Sequence, residues 1–107
     1  MGKRFELLSP LDTAADLAGT AFAHEPGHLR AEYSTKDFAS AVHLLQAVAD
    51  AADELNHHPD VRLGYGSIAF ELSSHDAGGV TERDVQLAQR IQAIADAEGA
   101  APVHQGN

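Results

Sequence analysis

At 107 residues the chain has the length of one domain around one core, which we place at about residues 8–98, with residues 99–107 expected to be a disordered tail. Sixteen Asp and Glu against seven Lys and Arg leave a net charge of -9, the wrong sign for a phosphate backbone, so direct nucleic-acid binding is not expected. With no cysteine there is no disulfide, thiolate metal site or cysteine nucleophile. Any chemistry must come from carboxylates, hydroxyls and the seven histidines.

No apolar run approaches the roughly 18 residues of a membrane span, so no membrane association is expected. The start, Met1, Gly2, Lys3, Arg4 and Phe5, lacks the apolar run of a signal peptide, and cytoplasmic residence is the expectation. Ser9, Pro10 and Asp12 read as a helix entry, with Leu11, Ala14, Ala15, Leu17 and Ala18 marking an apolar face that Gly19 ends. Residues 21–23 suggest a brief strand. After the Pro26, Gly27 turn, Leu29, Ala31 and Tyr33 alternate with Arg30 and Glu32, the mark of a strand with one buried face. Ser34 or Thr35 is then placed to cap a long helix carrying Phe38, Ala41, Val42, Leu45, Val48, Ala49, Ala52 and Leu55 at spacings of three and four.

Pro59 disfavours helical geometry at His58, so this helix should stop near Asn56 or His57. Val61, Leu63 and Tyr65, then Ile68, Phe70 and Leu72, predict two more strands joined near Gly64 and Gly66. Gly78 and Gly79 mark a turn, and Thr81 to Asp84 form a capping box for a final helix with Val85, Leu87, Ala88, Ile91 and Ile94. The order helix, strand, strand, helix, strand, strand, helix predicts an α+β sandwich, a four-stranded antiparallel sheet with three helices on one face.

Asp53, Glu54, Leu55, Asn56, His57, His58, Pro59 and Asp60 form the most site-like stretch. Asp53 and His57 stand four apart, which on a helix lets the carboxylate orient the imidazole. His75 reaches the same place only if the end of its strand lies beside the end of that helix.

An acidic residue, three residues, His-His-Pro, an aromatic six residues on at Tyr65, then Ser74, His75, Asp76, Gly78, Gly79, Thr81 and Asp84 together resemble the signature of the pterin-4a-carbinolamine dehydratases. The resemblance implies the same four-stranded, three-helix architecture, and a hydro-lyase that dehydrates 4a-hydroxytetrahydropterin to quinonoid dihydropterin in pterin recycling. It implies proton transfer by His57 and His75, support of His57 by Asp53, substrate contacts from His58, Tyr65 and Asp76, no metal or redox cofactor, and a homodimer or homotetramer; because the named residues lie in one short span, the pocket is expected mostly within one subunit. Two features depart from the family: Asp53 stands where glutamate is common, and the chain has no tryptophan.

Blander readings stand beside these. His57 and His58 read equally as helix C-terminal caps, His75 as a turn residue, Tyr65 as packing, and Thr81 and Asp84 as a helix cap. His43 reads as a surface residue, and His24, His28 and His104 carry no signal. Two other functions compete: a non-catalytic binding or assembly module on the same fold, and a zinc protein using Asp53, His57, His58 and His75.

Overall fold

The computed structural model describes residues 6–103, so the readings of residues 1–5 and of His104 lie outside it. Its helices are α1 (Pro10–Leu17), α2 (Phe38–Leu55) and α3 (Glu82–Glu98), and its strands are β1 (Ala23–Glu25), β2 (His28–Ser34), β3 (Asp60–Gly64), β4 (Ser67–Leu72) and β5 (Ala101–Pro102). The sheet is antiparallel in the order β1-β2-β4-β3, with β5 also paired to β2. The α+β architecture is the expected one, with a fifth, two-residue strand in addition.

Alternation builds the core. Leu29, Ala31 and Tyr33 of β2 and Ile68, Phe70 and Leu72 of β4 are buried against Ala41, Leu44 and Val48 of α2 and Leu87, Ala88 and Ile91 of α3. Each large apolar side chain withdrawn from water contributes about 1.5–3 kcal/mol. Tyr33 sits between Phe22 and Phe70 in edge-on contacts at 6.5 and 6.2 Å, and its hydroxyl donates to Gln92 Oε1 at 2.7 Å, so the buried phenol is satisfied.

Local chemistry sets the helix starts. Ser9 with Asp12 and Thr81 with Asp84 each close a reciprocal capping box. α2 starts later than Ser34 or Thr35 would allow, because β2 runs on to Ser34 and Thr35 N–H donates to Gly66 O; Asp37 is the cap, accepting from Ser40 N–H at 2.8 Å. In α1 only Thr13 and Leu17 are buried, whereas Leu11, expected on the apolar face, is 90% exposed. β1 lies two residues later than expected, and Phe22 just before it turns into the core.

The segment after Gly99 is also ordered as far as Val103, against the expectation of a disordered tail. Gly99 ends α3 in the left-handed region, and the chain doubles back onto the stretch of β2 that β1 leaves unpaired; Val103 N–H donates to Glu32 O at 2.8 Å.

The C-terminus of α2 aims the next residues. Asn56 adopts φ 52 and ψ 42, a left-handed cap that stops the helix and redirects His57 and His58. Asn tolerates that conformation; alanine does not. Asn56→Ala should therefore cost about 1 kcal/mol and Asn56→Gly close to nothing, read from chemical-denaturation midpoints; equal midpoints for the two variants would contradict this account of the cap.

Candidate active site

Three chain segments meet at one end of the sheet. The exit of α2 passes through His57, His58 and Pro59 into β3, and Asp60 pairs with Glu71 near the end of β4, which runs on to Ser74 and His75. The start of α3 faces the same end, and here lies Asp84, which has no solvent exposure.

Asp84 organises the region. Its Oδ2 accepts from Ser74 Oγ at 2.8 Å and from Thr81 N–H at 2.9 Å, and its Oδ1 lies 2.5 Å from His57 Nε2. Ser74 Oγ also meets Thr81 Oγ1 at 2.8 Å. Burying a carboxylate is expensive, and these three hydrogen bonds offset the loss of water. One side chain thereby ties together the exit of α2, the exit of β4 and the entry of α3. Thr81 and Asp84 do form the expected cap, but the same carboxylate also holds the first histidine.

With Nε2 engaged by Asp84, the ring of His57 is fixed in orientation, and its remaining nitrogen is Nδ1. Nδ1 has no hydrogen-bond partner among the described residues. No buried side-chain nitrogen or oxygen there lacks a partner, so Nδ1 reaches solvent. The His57 side chain is 11% exposed, the profile of a ring held on one side and open on the other.

The expected partner of His57 was Asp53, and the geometry corrects this. The spacing of four brings two side chains together only while the helix continues, and the left-handed Asn56 breaks it one residue too early. Asp53 Oδ1 instead meets His58 Nε2 at 2.8 Å. Both side chains of that pair are well exposed, so it contributes about 0–1 kcal/mol and acts mainly to orient His58.

His75 does not end the strand. β4 stops at Leu72, and His75 lies exposed in a turn closed by Ser74 N–H to Gly79 O at 2.8 Å and Gly78 N–H to Ser74 O at 2.9 Å. Because Ser74 is anchored to Asp84, the carboxylate that holds His57 also anchors the turn that carries His75.

Asp76, expected at the substrate, meets Arg83 at 2.7 Å, and that guanidinium holds its carboxyl below the usual range; the pair braces the turn against α3. Tyr65 is the residue the fold takes away. It sits in the tight turn between β3 and β4, 81% exposed, and the length of β3 puts about 13 Å between that turn and the histidine end of the sheet. Within one chain it is not part of the site.

Two roles were not read from the sequence: Ser74 and Asp84 both stand in the family-like signature, but Ser74 was given no role of its own and Asp84 read as a cap. His24, on β1, is set against Thr13 Oγ1 at 2.8 Å, and burial lowers its pKa. A cleft of about 510 Å³ beside Lys36, Asp37, His43 and Glu98 lies at the other end of α2 and includes none of the predicted site residues. There His43 Nδ1 meets Glu98 Oε1 at 2.7 Å.

A family model described as Pterin 4 alpha carbinolamine dehydratase matches residues 10–94. The chain belongs to this family. A Streptomyces coelicolor protein named provisionally as a pterin-4-alpha-carbinolamine dehydratase is 37% identical over 97 residues, covering 89% of this chain and 96% of its own. A Koribacter versatilis protein with the same provisional name is 44% identical over 63 residues, 59% of this chain and 67% of its own. Among solved structures, a transcriptional coactivator/pterin dehydratase from Brucella melitensis superposes with a TM-score of 0.77 at 26% identity, over 84% of this chain and 99% of that one. A pterin dehydratase-like protein identified as a RuBisCO assembly factor in the alpha-carboxysome shares the fold, with a TM-score of 0.57 at 22% identity over 71% of this chain and 88% of that one.

Among the described residues, no three His, Asp or Glu side chains are placed to hold one metal ion. His57 and His58 turn to different carboxylates. None of the helices of this carbinolamine dehydratase family member is long and apolar enough, among the described residues, to cross a membrane.

Proposed function

We propose that the chain dehydrates a 4a-hydroxytetrahydropterin to the quinonoid dihydropterin by histidine acid–base catalysis, acting in pterin recycling. In this step the C4a–O bond breaks, the departing hydroxyl takes a proton and leaves as water, the proton on N5 is removed, and C4a=N5 forms. One acid and one base suffice. An imidazole serves in either role because its unperturbed pKa of about 6.5 lies near working pH, and each well-placed group contributes about 100-fold to 10,000-fold.

The observation that carries this reading is the hydrogen bond from His57 to the buried Asp84, which leaves Nδ1 as the atom for proton transfer. His75, on the turn tied to the same carboxylate, is the second group. His58, oriented by Asp53, positions the pterin. Asp76 acts through Arg83 to hold the turn. The reaction needs no metal or redox cofactor, and the protein works as a homodimer or homotetramer.

The test is a dehydration assay with freshly generated 4a-hydroxytetrahydropterin. The reading expects acceleration over buffer that survives EDTA. A rate lost in EDTA and restored by zinc favours a metal site instead. No acceleration favours a binding or assembly module, the role named for the carboxysomal protein that shares the fold.

A further inference from the structure

Another cleft, of about 310 Å³, opens beside the turn that carries His75. Leu8, Pro10, Pro26 and Val80 wall it, and Gly78 and Gly79 form one side. Among the described residues lining it, only His24 and Glu25 have polar side chains, and Glu25 Oε1 is already met by His28 Nε2 at 2.9 Å. His24 is thus the polar side chain that the cleft offers.

Thr13, with no solvent exposure, meets His24 Nδ1 through its Oγ1 at 2.8 Å and fixes the ring. Nε2 has no hydrogen-bond partner among the described residues. No buried side-chain nitrogen or oxygen there lacks one, so Nε2 is open on a ring that lines the cleft. Burial, with the charge of His28, lowers the pKa of His24 against the pull of Asp12 and Asp84, so the ring is neutral at neutral pH.

His24 also stands at the histidine end of the sheet. It pairs with Leu29, which pairs with Leu72, the last residue of the strand that runs on to Ser74 and His75. Gly78 N–H, at the edge of the cleft, donates to His75 O at 3.2 Å, so one turn borders both the cleft and the histidine site.

We propose that this cleft receives the C6 side chain of the pterin and that His24 selects a side chain bearing a hydroxyl. The inference rests on the dehydratase reading and names what that site takes at C6. In a tetrahydropterin C6 is bonded to N5, which loses its proton, and N5 to C4a, which loses the hydroxyl. A ring held with these two atoms between His57 and His75 starts its C6 substituent beside the His75 turn, and the cleft that begins at Gly78 is the sheltered space within its reach.

A hydroxyl suits the imidazole in either tautomer, because it can give its proton to a bare Nε2 or accept one from Nε2–H. A methyl group in its place leaves Nε2 unpaired once the cleft is filled. An anionic group finds no Lys or Arg among the described residues lining the cleft.

The test uses 7,8-dihydropterins, which keep the ring and lack the leaving hydroxyl, carrying either a dihydroxypropyl or a methyl group at C6. In equilibrium dialysis the wild type should bind the dihydroxypropyl compound about three- to tenfold more tightly, the share of one hydrogen bond, and His24→Leu should bind the two within about twofold. In the wild type, which needs no substitution to fold, the dihydroxypropyl compound should shift the NMR resonances of the His24 ring. No binding, equal affinities in the wild type, an unshifted ring, or a preference that survives in folded His24→Leu overturns the inference. Dehydration of the two matching 4a-hydroxytetrahydropterins separates this from the reaction itself. A wild type that binds with the stated preference and turns over neither rejects the dehydratase reading while supporting the assignment of the cleft.

Discussion

Asp84→Ala should lower stability by about 3–5 kcal/mol, a large share of what a domain of this size has. The change removes the acceptor for His57 Nε2, Ser74 Oγ and Thr81 N–H at a fully buried point and opens the capping box of α3. Breaking a buried network by deleting one partner leaves the others desolvated, which is why the loss exceeds that of the exposed Asp53 and His58 pair. Urea denaturation at neutral pH measures it, with Asp53→Ala as the reference variant. Asp53→Ala should fall within about 1 kcal/mol of wild type. Similar losses for the two variants would contradict the structural role given to Asp84.

His57→Ala and His75→Ala should each slow dehydration by at least about tenfold, because each loses a proton-transfer group. The two should differ in stability. His75 is exposed in its turn and makes no side-chain hydrogen bond among the described residues, so its replacement should leave the denaturation midpoint within about 0.5 kcal/mol of wild type. His57→Ala strands a buried carboxylate that still accepts from Ser74 and Thr81, and should be folded but less stable. Full activity in both single variants would sink the assignment.

Much of this was legible in the sequence because the physics that sets it is local. The alternation of Leu29, Ala31 and Tyr33 and of Ile68, Phe70 and Leu72 marked the two central strands, and the Ser9 and Thr81 boxes marked two helix starts. The order and spacing of the histidine signature marked the family. What local reasoning missed depends on where the chain goes next. The spacing of Asp53 and His57 is a rule for a continuing helix, and the left-handed Asn56 annuls it.

Tyr65 stands beside the histidines in sequence but at the far end of a hairpin in space. The second role of Asp84 required α3 to return to the end of α2, a contact across 27 residues that no window along the chain contains. The pairing of the C-terminal segment with β2 was hidden for the same reason.

The central claim is that Asp84 and His57 form one acid–base unit in pterin dehydration, and a double-mutant cycle in the dehydration assay tests it most directly. Asp84→Asn keeps the size of the side chain and alters its hold on the imidazole. The account predicts that the wild type accelerates dehydration, that His57→Ala and Asp84→Asn each lose rate, and that adding Asp84→Asn to His57→Ala costs less than about 0.5 kcal/mol more. No acceleration by the wild type, or losses that simply add in the double variant, would contradict it.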